Sequence, residues 1–127
     1  MLKKIWKHKN IKESFTAAFR GLKTVLKVER NARIIFIFGI LSLSVAFFLK
    51  LSLSEFAIVI IAIASVFVAE IFNTLVEQTL DIVKPEKDPH IKILKDISSS
   101  AVLIICLAAA IVILSLFLPK MWSLVNL

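Results

Sequence analysis

The sequence predicts an all-α membrane protein with an N-terminal amphipathic surface helix and three transmembrane helices. The 127-residue chain is 59% hydrophobic with a mean hydropathy of +0.92, far above a soluble composition. Its apolar residues are concentrated in three runs, and its positive charges flank these runs unevenly. We expect one domain over residues 1–127, with a surface helix at 11–30 and spans near 31–51, 55–83 and 91–118.

The first predicted element is the basic amphipathic helix over residues 11–30. Apolar residues recur on one face at helical spacing, and Lys and Arg residues occupy the opposite face. A helix of this kind lies in the membrane interface with its apolar face toward lipid. Glu29 stands at its end among several basic residues, so it is either an ion-pair partner or part of a site.

The three spans follow from apolar runs at 34–49, 56–69 and 101–118. The middle run crosses a bilayer only if its helix continues through an acidic segment to about Val83. In the turn before it, Ser54 and Glu55 are predicted as helix cap and first-turn residue. Pro119 predicts the end of the last span, because proline disrupts a helix interior.

Positive charge predicts the orientation of the spans. Of the 16 Lys and Arg residues, all but Lys50 and Lys120 precede the first span or lie between the second and third. The positive-inside rule therefore predicts a cytoplasmic N-terminus. Anionic lipid headgroups account for the net charge of +7 more simply than nucleic acid does, so we expect no nucleic-acid partner.

Residues 70–81, EIFNTLVEQTLD, carry the strongest functional signal. Glu70, Asn73, Glu77 and Asp81 fall at offsets of three or four residues, so they share one helix face. We call this set the acidic stripe; at 1.5 Å per residue it is roughly 16 Å long. The preceding segment is hydrocarbon, which places Glu70 in or near lipid, where a carboxylate is costly unless it is partnered or functional.

These residue types suit phosphoryl transfer. In the predicted topology Glu29, the acidic stripe and the pair Lys95–Asp96 converge on one membrane face. Carboxylates near the surface bind Mg²⁺ together with substrate phosphates, and a lysine supplies positive charge to a phosphate. Loss of water makes a carboxylate at the depth of Glu70 a stronger base. Metal, lysine and base are the parts that phosphoryl transfer needs.

Composition excludes several familiar nucleotide and metal sites. The only two glycines, Gly21 and Gly39, cannot form a P-loop or a GxGxxG motif, so metal and side chains must hold the nucleotide. The acceptor is expected to be a lipid alcohol, because the base lies at membrane depth. Cys106 is the single cysteine, which excludes a disulfide framework and a cysteine metal site.

Three other interpretations of the stripe stay open. In the first, the stripe forms a polar contact between helices of an oligomer, which suits Asn73 and Thr74 but leaves three acids repelling one another. In the second, the protein is a small proton-coupled transporter that uses Glu70, although a transporter more simply keeps its charge at the bilayer midplane. A purely structural membrane protein leaves Glu70 unexplained.

Three segments together carry a resemblance over residues 12–120: GLKTVLKVERNAR (21–33), EIFNTLVEQTLD (70–81) and KILKDISSSAVL (92–103). They resemble the small membrane-integral diacylglycerol kinases and undecaprenol kinases of bacteria. The loop KPEKDPHIK is similar to the TPEYHPLAK-like loop of Gram-positive members. The resemblance implies a homotrimer in the bacterial inner (cytoplasmic) membrane. It implies transfer of the ATP γ-phosphoryl group, with Mg²⁺, to the hydroxyl of undecaprenol or diacylglycerol.

The resemblance also implies roles for individual residues. Glu70 looks like the general base, and Glu29 and Glu77 look like the carboxylates that hold the divalent metal. The other matching positions are nucleotide or phosphate contacts at Asn73, Asp81, Glu86, Lys95 and Asp96, and a position near the lipid substrate at Ser99. The sequence departs from the enterobacterial type at Asn10 and Ala17, where that type has an Arg and an aromatic residue that contact ATP.

Overall fold

The computed structural model describes residues 10–85 and 87–126. In this part of the chain the helices are α1 (Ile11–Val28), α2 (Arg30–Phe48), α3 (Leu53–Val83) and α4 (Pro89–Val125). The last three are each long and apolar enough to cross a membrane. The predicted class is therefore confirmed: the chain is an all-α, multi-pass membrane protein with one additional N-terminal helix.

Helix α1 is amphipathic and packs against little else. Its N-cap is Asn10, whose Oδ1 accepts a hydrogen bond from the Glu13 N–H at 2.9 Å. No residue of α1 is buried, and the apolar side chains of Ile11, Phe15 and Phe19 are 76%, 64% and 68% exposed. An unpartnered apolar face opposite a basic face fits the membrane interface.

A single residue, Glu29, joins α1 to α2. Its backbone is extended (φ −95°, ψ 120°); its N–H donates to the Val25 carbonyl at 2.8 Å, and its carbonyl accepts from the Arg33 N–H at 3.3 Å. The Arg33 guanidinium also donates to the carbonyls of Leu26 and Lys27, at 3.2 and 2.9 Å. These bonds satisfy carbonyls that a helix end leaves free, and they hold α1 and α2 at a defined angle.

Helix α3 is the central element and packs against both α2 and α4, which make few contacts with each other. The buried residues of α2 are Ala32, Gly39 and Ala46, spaced by seven as in a left-handed helix pair. A Cβ built at Gly39 lies 2.7 Å from Cγ2 of Ile63 on α3. The absence of a side chain at Gly39 therefore lets the two helices approach closely.

The bundle is tightly packed at the end that contains the α2–α3 turn, residues 49–52, which we call the turn end. Ala46, Val59 and Phe117, one from each spanning helix, form a buried apolar cluster there. Partly buried aliphatic and aromatic side chains surround the cluster. All three spanning helices are thus fixed to one another by hydrocarbon packing at this end.

The start of α3 is capped by Ser52, so the predicted cap at Ser54 is wrong. The Glu55 N–H donates to Ser52 Oγ at 3.3 Å, and the Ser52 N–H donates to Glu55 Oε2 at 2.7 Å, which makes a capping box. The reason is spacing: only Ser52 has the glutamate three residues ahead. Glu55 also lies 3.5 Å from Lys120 Nζ and so links α3 to α4.

Helix α4 extends beyond its expected bounds of 91–118 at both ends. It begins at Pro89 with Asp88 as N-cap, and Asp88 Oδ1 accepts from the His90 N–H at 2.7 Å. It continues through Pro119 to Val125, since a proline removes only one donor from the helix. The other helices lie within three residues of the expected 11–30, 31–51 and 55–83.

Candidate functional site

Three carboxylates converge at the end of the bundle opposite the turn end, which we call the charged end. Glu70 of α3 lies within electrostatic range of Glu77 on the same helix and of Glu29 at the α1–α2 joint. Across residues 10–85 and 87–126, Glu29 forms no ion pair with the basic residues around it. The Arg33 guanidinium binds backbone carbonyls instead, which leaves the Glu29 carboxylate available to the site.

Glu70 is the most enclosed of these groups, with only 2% of its surface exposed. Its neighbours are the side-chain amide of Asn31 on α2 and the thiol of Cys106 on α4. None of the ion pairs in the described part of the chain includes Glu70. An enclosed carboxylate without a cation is costly, so its retention points to a functional role.

Asn31 is a site residue that the sequence analysis did not identify. Its amide interacts with the Glu70 carboxyl group across the α2–α3 interface. Helical periodicity within α3 cannot reveal a partner on another helix. Its position two residues after Glu29, next to the α1–α2 joint, was the one feature of the sequence that could have marked Asn31 as a site residue.

Asn73 and Thr74 complete the enclosed polar surface of α3, and each is 8% exposed. Asn73 Nδ2 donates a hydrogen bond to Glu77 Oε1 at 3.3 Å. Asn73 Oδ1 is fully enclosed and has no hydrogen-bond partner among the described residues. Enclosed polar atoms in proteins are nearly always partnered, so this oxygen is available to accept from or coordinate a bound group.

The basic and acidic residues at the start of α4 form two separate ion pairs. Lys95 Nζ lies 2.5 Å from Asp81 Oδ1 and connects α4 to the end of the acidic stripe. Asp96 accepts from Lys92 Nζ at 2.9 Å on an exposed surface. Ser99, one turn beyond Asp96, is also exposed. The sequence neighbours Lys95 and Asp96 therefore have different ion-pair partners, Asp81 and Lys92.

A cavity of about 500 Å³ lies beside the α3–α4 loop at the charged end. Its lining includes Asp81 and three lysines, Lys87, Lys92 and Lys95. The lining also includes Asp88, and Lys95 and Lys92 are paired with Asp81 and Asp96, so an anion such as a phosphate chain would have to compete with these carboxylates. Glu86, predicted as a nucleotide contact, belongs to this loop but lies outside the described residues.

Asp88 gives the same loop a fixed geometry. Its carboxylate is paired with the ammonium group of Lys84, and it accepts hydrogen bonds from the His90 N–H at 2.7 Å and from His90 Nδ1 at 3.2 Å. Two hydrogen bonds to the carboxylate lower the pKa of Asp88 from 3.8 to about 2: the bond from Lys84 has the larger effect, and the bond from the His90 N–H the next largest. The loop is thus closed by an ionised carboxylate at neutral pH.

The sequence comparisons identify the family to which this site belongs. The family profile described as prokaryotic diacylglycerol kinase matches residues 16–117. The chain belongs to this family. An undecaprenol kinase of Bacillus subtilis is 31% identical over 109 residues, which cover 86% of this chain and 89% of that protein. A diacylglycerol kinase of Synechocystis sp. is 31% identical over 116 residues, covering 91% of this chain and 66% of that protein.

Family membership makes the protein a lipid kinase. This result sets aside the purely structural interpretation of the acidic stripe. It also decides between the kinase and the proton-coupled transporter in favour of the kinase. The resemblance inferred from the three sequence segments is confirmed.

The oxygen atoms of this lipid kinase site fit Mg²⁺. The ion binds one or two carboxylates, waters and substrate phosphates rather than a full protein cage, and Glu29, Glu77 and the unpartnered Asn73 Oδ1 are hard oxygen donors at one site. No group of three or more His, Cys, Asp or Glu in residues 10–85 and 87–126 could hold a metal.

Proposed function

We propose that the protein transfers the γ-phosphoryl group of ATP to the hydroxyl of a membrane lipid alcohol, undecaprenol or diacylglycerol. The products are undecaprenyl phosphate or phosphatidic acid. One observation carries the proposal: Glu70 is enclosed, forms no ion pair with residues 10–85 and 87–126, and stands beside Glu29 and Glu77 at the charged end of an apolar helix. A base at membrane depth, next to further carboxylates, suits a reaction between a lipid alcohol and a nucleotide.

In this mechanism Glu70 accepts the proton of the lipid hydroxyl while the hydroxyl oxygen attacks the γ-phosphorus. The bond between the γ-phosphorus and the β–γ bridging oxygen breaks, and ADP leaves with the bonding electrons. The Asn31 amide orients the Glu70 carboxyl group. A base positioned in this way typically accelerates a reaction by about 10²–10⁴-fold.

The remaining residues bind and orient the nucleotide. Glu29 and Glu77 would hold Mg²⁺, which would neutralise phosphate charge when bound. Lys95, now paired with Asp81, turns toward the phosphates when the nucleotide enters. The other contacts assigned to the nucleotide or phosphates are Asn73, Asp81, Glu86 and Asp96. Ser99 stands near the lipid substrate.

We further propose that the kinase is a homotrimer in the bacterial inner (cytoplasmic) membrane with its N-terminus in the cytoplasm. The family resemblance supports the trimer. The basic residues at the charged end support the orientation. The charged end then faces cytoplasmic ATP.

Lipid phosphorylation by the purified protein tests this function. The protein in mixed micelles receives MgATP labelled at the γ-phosphate, with diacylglycerol and undecaprenol in parallel reactions. We expect label in at least one lipid and none when a chelator removes Mg²⁺. Label in neither lipid, with Mg²⁺ present and the oligomer intact, would contradict the proposal and return the proton-coupled transporter to consideration.

A further inference from the structure

Helix α4 continues past the turn end of the bundle. Lys120 of α4 and Glu55 of α3 form an ion pair at 3.5 Å, and this pair lies beside the first turn of α3, which begins at Leu53. From Lys120 the helix runs on to Val125, a further rise of about 7.5 Å at 1.5 Å per residue. The family profile ends at residue 117, so residues 118–125, which we call the terminal segment, lie outside the matched region.

One face of the terminal segment is apolar and exposed. Its residues recur at spacings of three and four, which places them on one side of the helix, and together with Pro119 they line one apolar depression. We call them the terminal stripe: Leu118, Met121, Trp122 and Val125. The stripe prolongs the exposed apolar face of the span, to which Leu107, Ile111 and Leu114 belong.

The one charged side chain of the terminal segment is turned away from this stripe. Lys120 lies two residues from both Leu118 and Trp122, which places it on the opposite side of the helix. There it pairs with Glu55 of α3, so its charge is compensated at the level where α3 begins. The terminal stripe therefore presents an uncharged surface beyond the ion pair.

Polar groups of the terminal segment are bonded within the helix. Ser123 Oγ donates to the Lys120 carbonyl at 2.8 Å. The Trp122 carbonyl accepts from Asn126 Nδ2 at 3.0 Å and from the Asn126 N–H at 3.2 Å. Water can satisfy the last carbonyls of a helix, but next to lipid the chain itself must satisfy them. These internal bonds suit a surrounding that holds little water.

We propose that the terminal stripe binds the headgroup and glycerol region of the membrane leaflet at the turn end, and anchors α4 there. This region is roughly 5–7.5 Å thick on each side of the hydrocarbon core, which matches the rise of about 7.5 Å from Lys120 to Val125. No described residue accepts a hydrogen bond from the Trp122 indole N–H. A ring at this level rests on acyl chain while its N–H donates to lipid oxygens. The inference concerns a surface at the other end of the bundle from the kinase site and does not rest on the proposed function.

The small extent of the terminal stripe favours lipid over a protein partner. A stable protein interface typically uses about 20–30 residues a side, whereas the stripe consists of four residues on one helix. Trp122 is 73% exposed, which is the usual position of a tryptophan that contacts the membrane interface. Lipid also covers the stripe without a break, because the apolar face of the span continues into it.

Trp122 reports its own surroundings, since Trp6 is the only other tryptophan of the chain. The full-length Trp6→Phe protein is placed in phosphatidylcholine vesicles, and quenching of its fluorescence is measured with three agents. Two are phosphatidylcholines brominated near the carboxyl end or near the methyl end of an acyl chain. The third is iodide, present on both sides of the membrane.

A matched control places the same reporter near the bilayer centre. Ile111 is exposed on the same face of α4 and lies about 14 Å before Lys120 along the helix, close to the middle of a core about 30 Å thick. Ile111→Trp is made in a chain that also carries Trp6→Phe and Trp122→Phe. The two proteins then differ only in the depth of their single tryptophan.

We expect carboxyl-end bromines to quench Trp122 at least about twofold more than methyl-end bromines, and the reverse order in the Ile111→Trp protein, because indole rings prefer the headgroup level. Iodide should quench Trp122 at most about one third as strongly as it quenches N-acetyltryptophanamide in water, because the lipid interface shields the ring. Strong iodide quenching without quenching by bromolipid would place the terminal segment in water. Protection from all three agents would show that protein covers it, such as a second copy of the chain. Either result overturns the proposal, as does stronger quenching of Trp122 by methyl-end bromines.

A second pair of variants tests which side of the helix meets the lipid. Val125 belongs to the terminal stripe, whereas Leu124 lies two residues from Trp122 and therefore on the side opposite the indole ring; both are exposed. In the Trp6→Phe protein, Val125→Ser should raise iodide quenching of Trp122 about twofold, because the stripe loses apolar contact with lipid. Leu124→Ser, at nearly the same depth, should change it little. Equal effects of the two variants would contradict the terminal stripe as the lipid contact.

Discussion

The two ends of the bundle satisfy their buried groups in opposite ways. At the turn end, apolar residues from three helices form a compact cluster, and both members of the Ser52–Glu55 capping box are partnered. At the charged end, Glu70 is enclosed without a cation and Asn73 Oδ1 has no partner within the described chain. Close apolar packing is therefore found at the turn end, and enclosed polar groups at the charged end.

This contrast explains how a small membrane protein tolerates a costly site. An enclosed carboxylate destabilises the fold unless other interactions offset the cost. The Gly39–Ile63 approach and the cluster around Val59 supply packing that does not involve the site. Substitutions at the charged end should therefore change catalysis more than stability, and substitutions at the turn end should do the reverse.

The largest expected effect is that of Glu70→Gln. Removal of the base should lower kcat for lipid phosphorylation by about 10²–10⁴-fold, while thermal stability in detergent is unchanged or higher, because an enclosed charge beside two other acids is lost. Glu55→Gln is the matched control at the turn end, since glutamine also completes a capping box. Dissociation of the Glu70→Gln oligomer with unchanged activity per intact oligomer would show that Glu70 is structural.

Glu77→Gln should weaken the dependence on metal rather than stop the reaction. We expect the Mg²⁺ concentration for half-maximal activity to rise by about 10–100-fold, the loss seen even when an outer partner of a metal ligand is removed. Titration of activity with Mg²⁺ at saturating ATP measures this shift. Gln78→Ala, at the exposed neighbouring position, is the control. An unchanged apparent Mg²⁺ affinity would contradict the ligand role.

The two glycines should respond to alanine with opposite signs. Gly39→Ala places a Cβ 2.7 Å from Ile63 Cγ2; overpacking costs about 1–3 kcal/mol, partly offset by the higher helix propensity of alanine. Gly21→Ala meets no other atom of the described chain within 4 Å, so it should stabilise α1 by about 0.5–1 kcal/mol. Thermal unfolding in detergent compares them. Equal shifts of the same sign would show that α2 and α3 are not held closely at Gly39.

Loss of the helix cap at the turn end should reduce stability without altering the chemistry. Ser52→Ala removes the acceptor of the Glu55 N–H, at a cost of about 1 kcal/mol. Ser54→Ala, two residues further on, removes a hydroxyl that lies 3.3 Å from Ser52 Oγ but does not itself accept from the Glu55 N–H, so it should cost less than Ser52→Ala. Both variants should keep the kcat of the unmodified protein below the unfolding temperature. A larger loss for Ser54→Ala would invalidate the assigned cap.

The smallest predicted effect is the pH dependence contributed by Asp88 in the α3–α4 loop. Its pKa in the folded protein, about 2, lies below its ordinary value of 3.8, so folding favours the ionised form. The stabilisation is fully present above pH 4 and is lost as the pH falls toward 2. Asp88→Asn keeps a capping oxygen but cannot ionise. The stability difference between the two proteins should shrink over this interval, and a constant difference would rule out this linkage.

Much of the architecture could be predicted because each local pattern has one physical solution. Apolar runs of sufficient length specify the spanning helices, and the spacing of Glu70, Asn73 and Glu77 specifies one face of α3. The cap at Ser52 was missed because Ser54 offers the same hydroxyl. The extension of α4 through Pro119 was missed because a proline reduces helix stability without always ending the helix.

The assembly of the site was less predictable, because it depends on contacts between helices. The predicted topology brought Glu29 and the acidic stripe to the same membrane face, but it did not specify which side chains meet there. Asn31 beside Glu70 and Cys106 across from it are contacts between helices, which no pattern within one helix reveals. The different partners of Lys95 and Asp96 depend on their distances from Asp81 and Lys92, which the spacing of residues on α4 alone does not determine.

The one-residue joint at Glu29 ties the geometry of the site to the angle between two helices. A residue has only two freely rotating backbone dihedrals, so any change in the angle between α1 and α2 must pass through the φ and ψ of Glu29. The Arg33 bonds to the end of α1 restrain that angle. The position of the Glu29 carboxylate relative to Glu70 is therefore set by the backbone where the two helices meet.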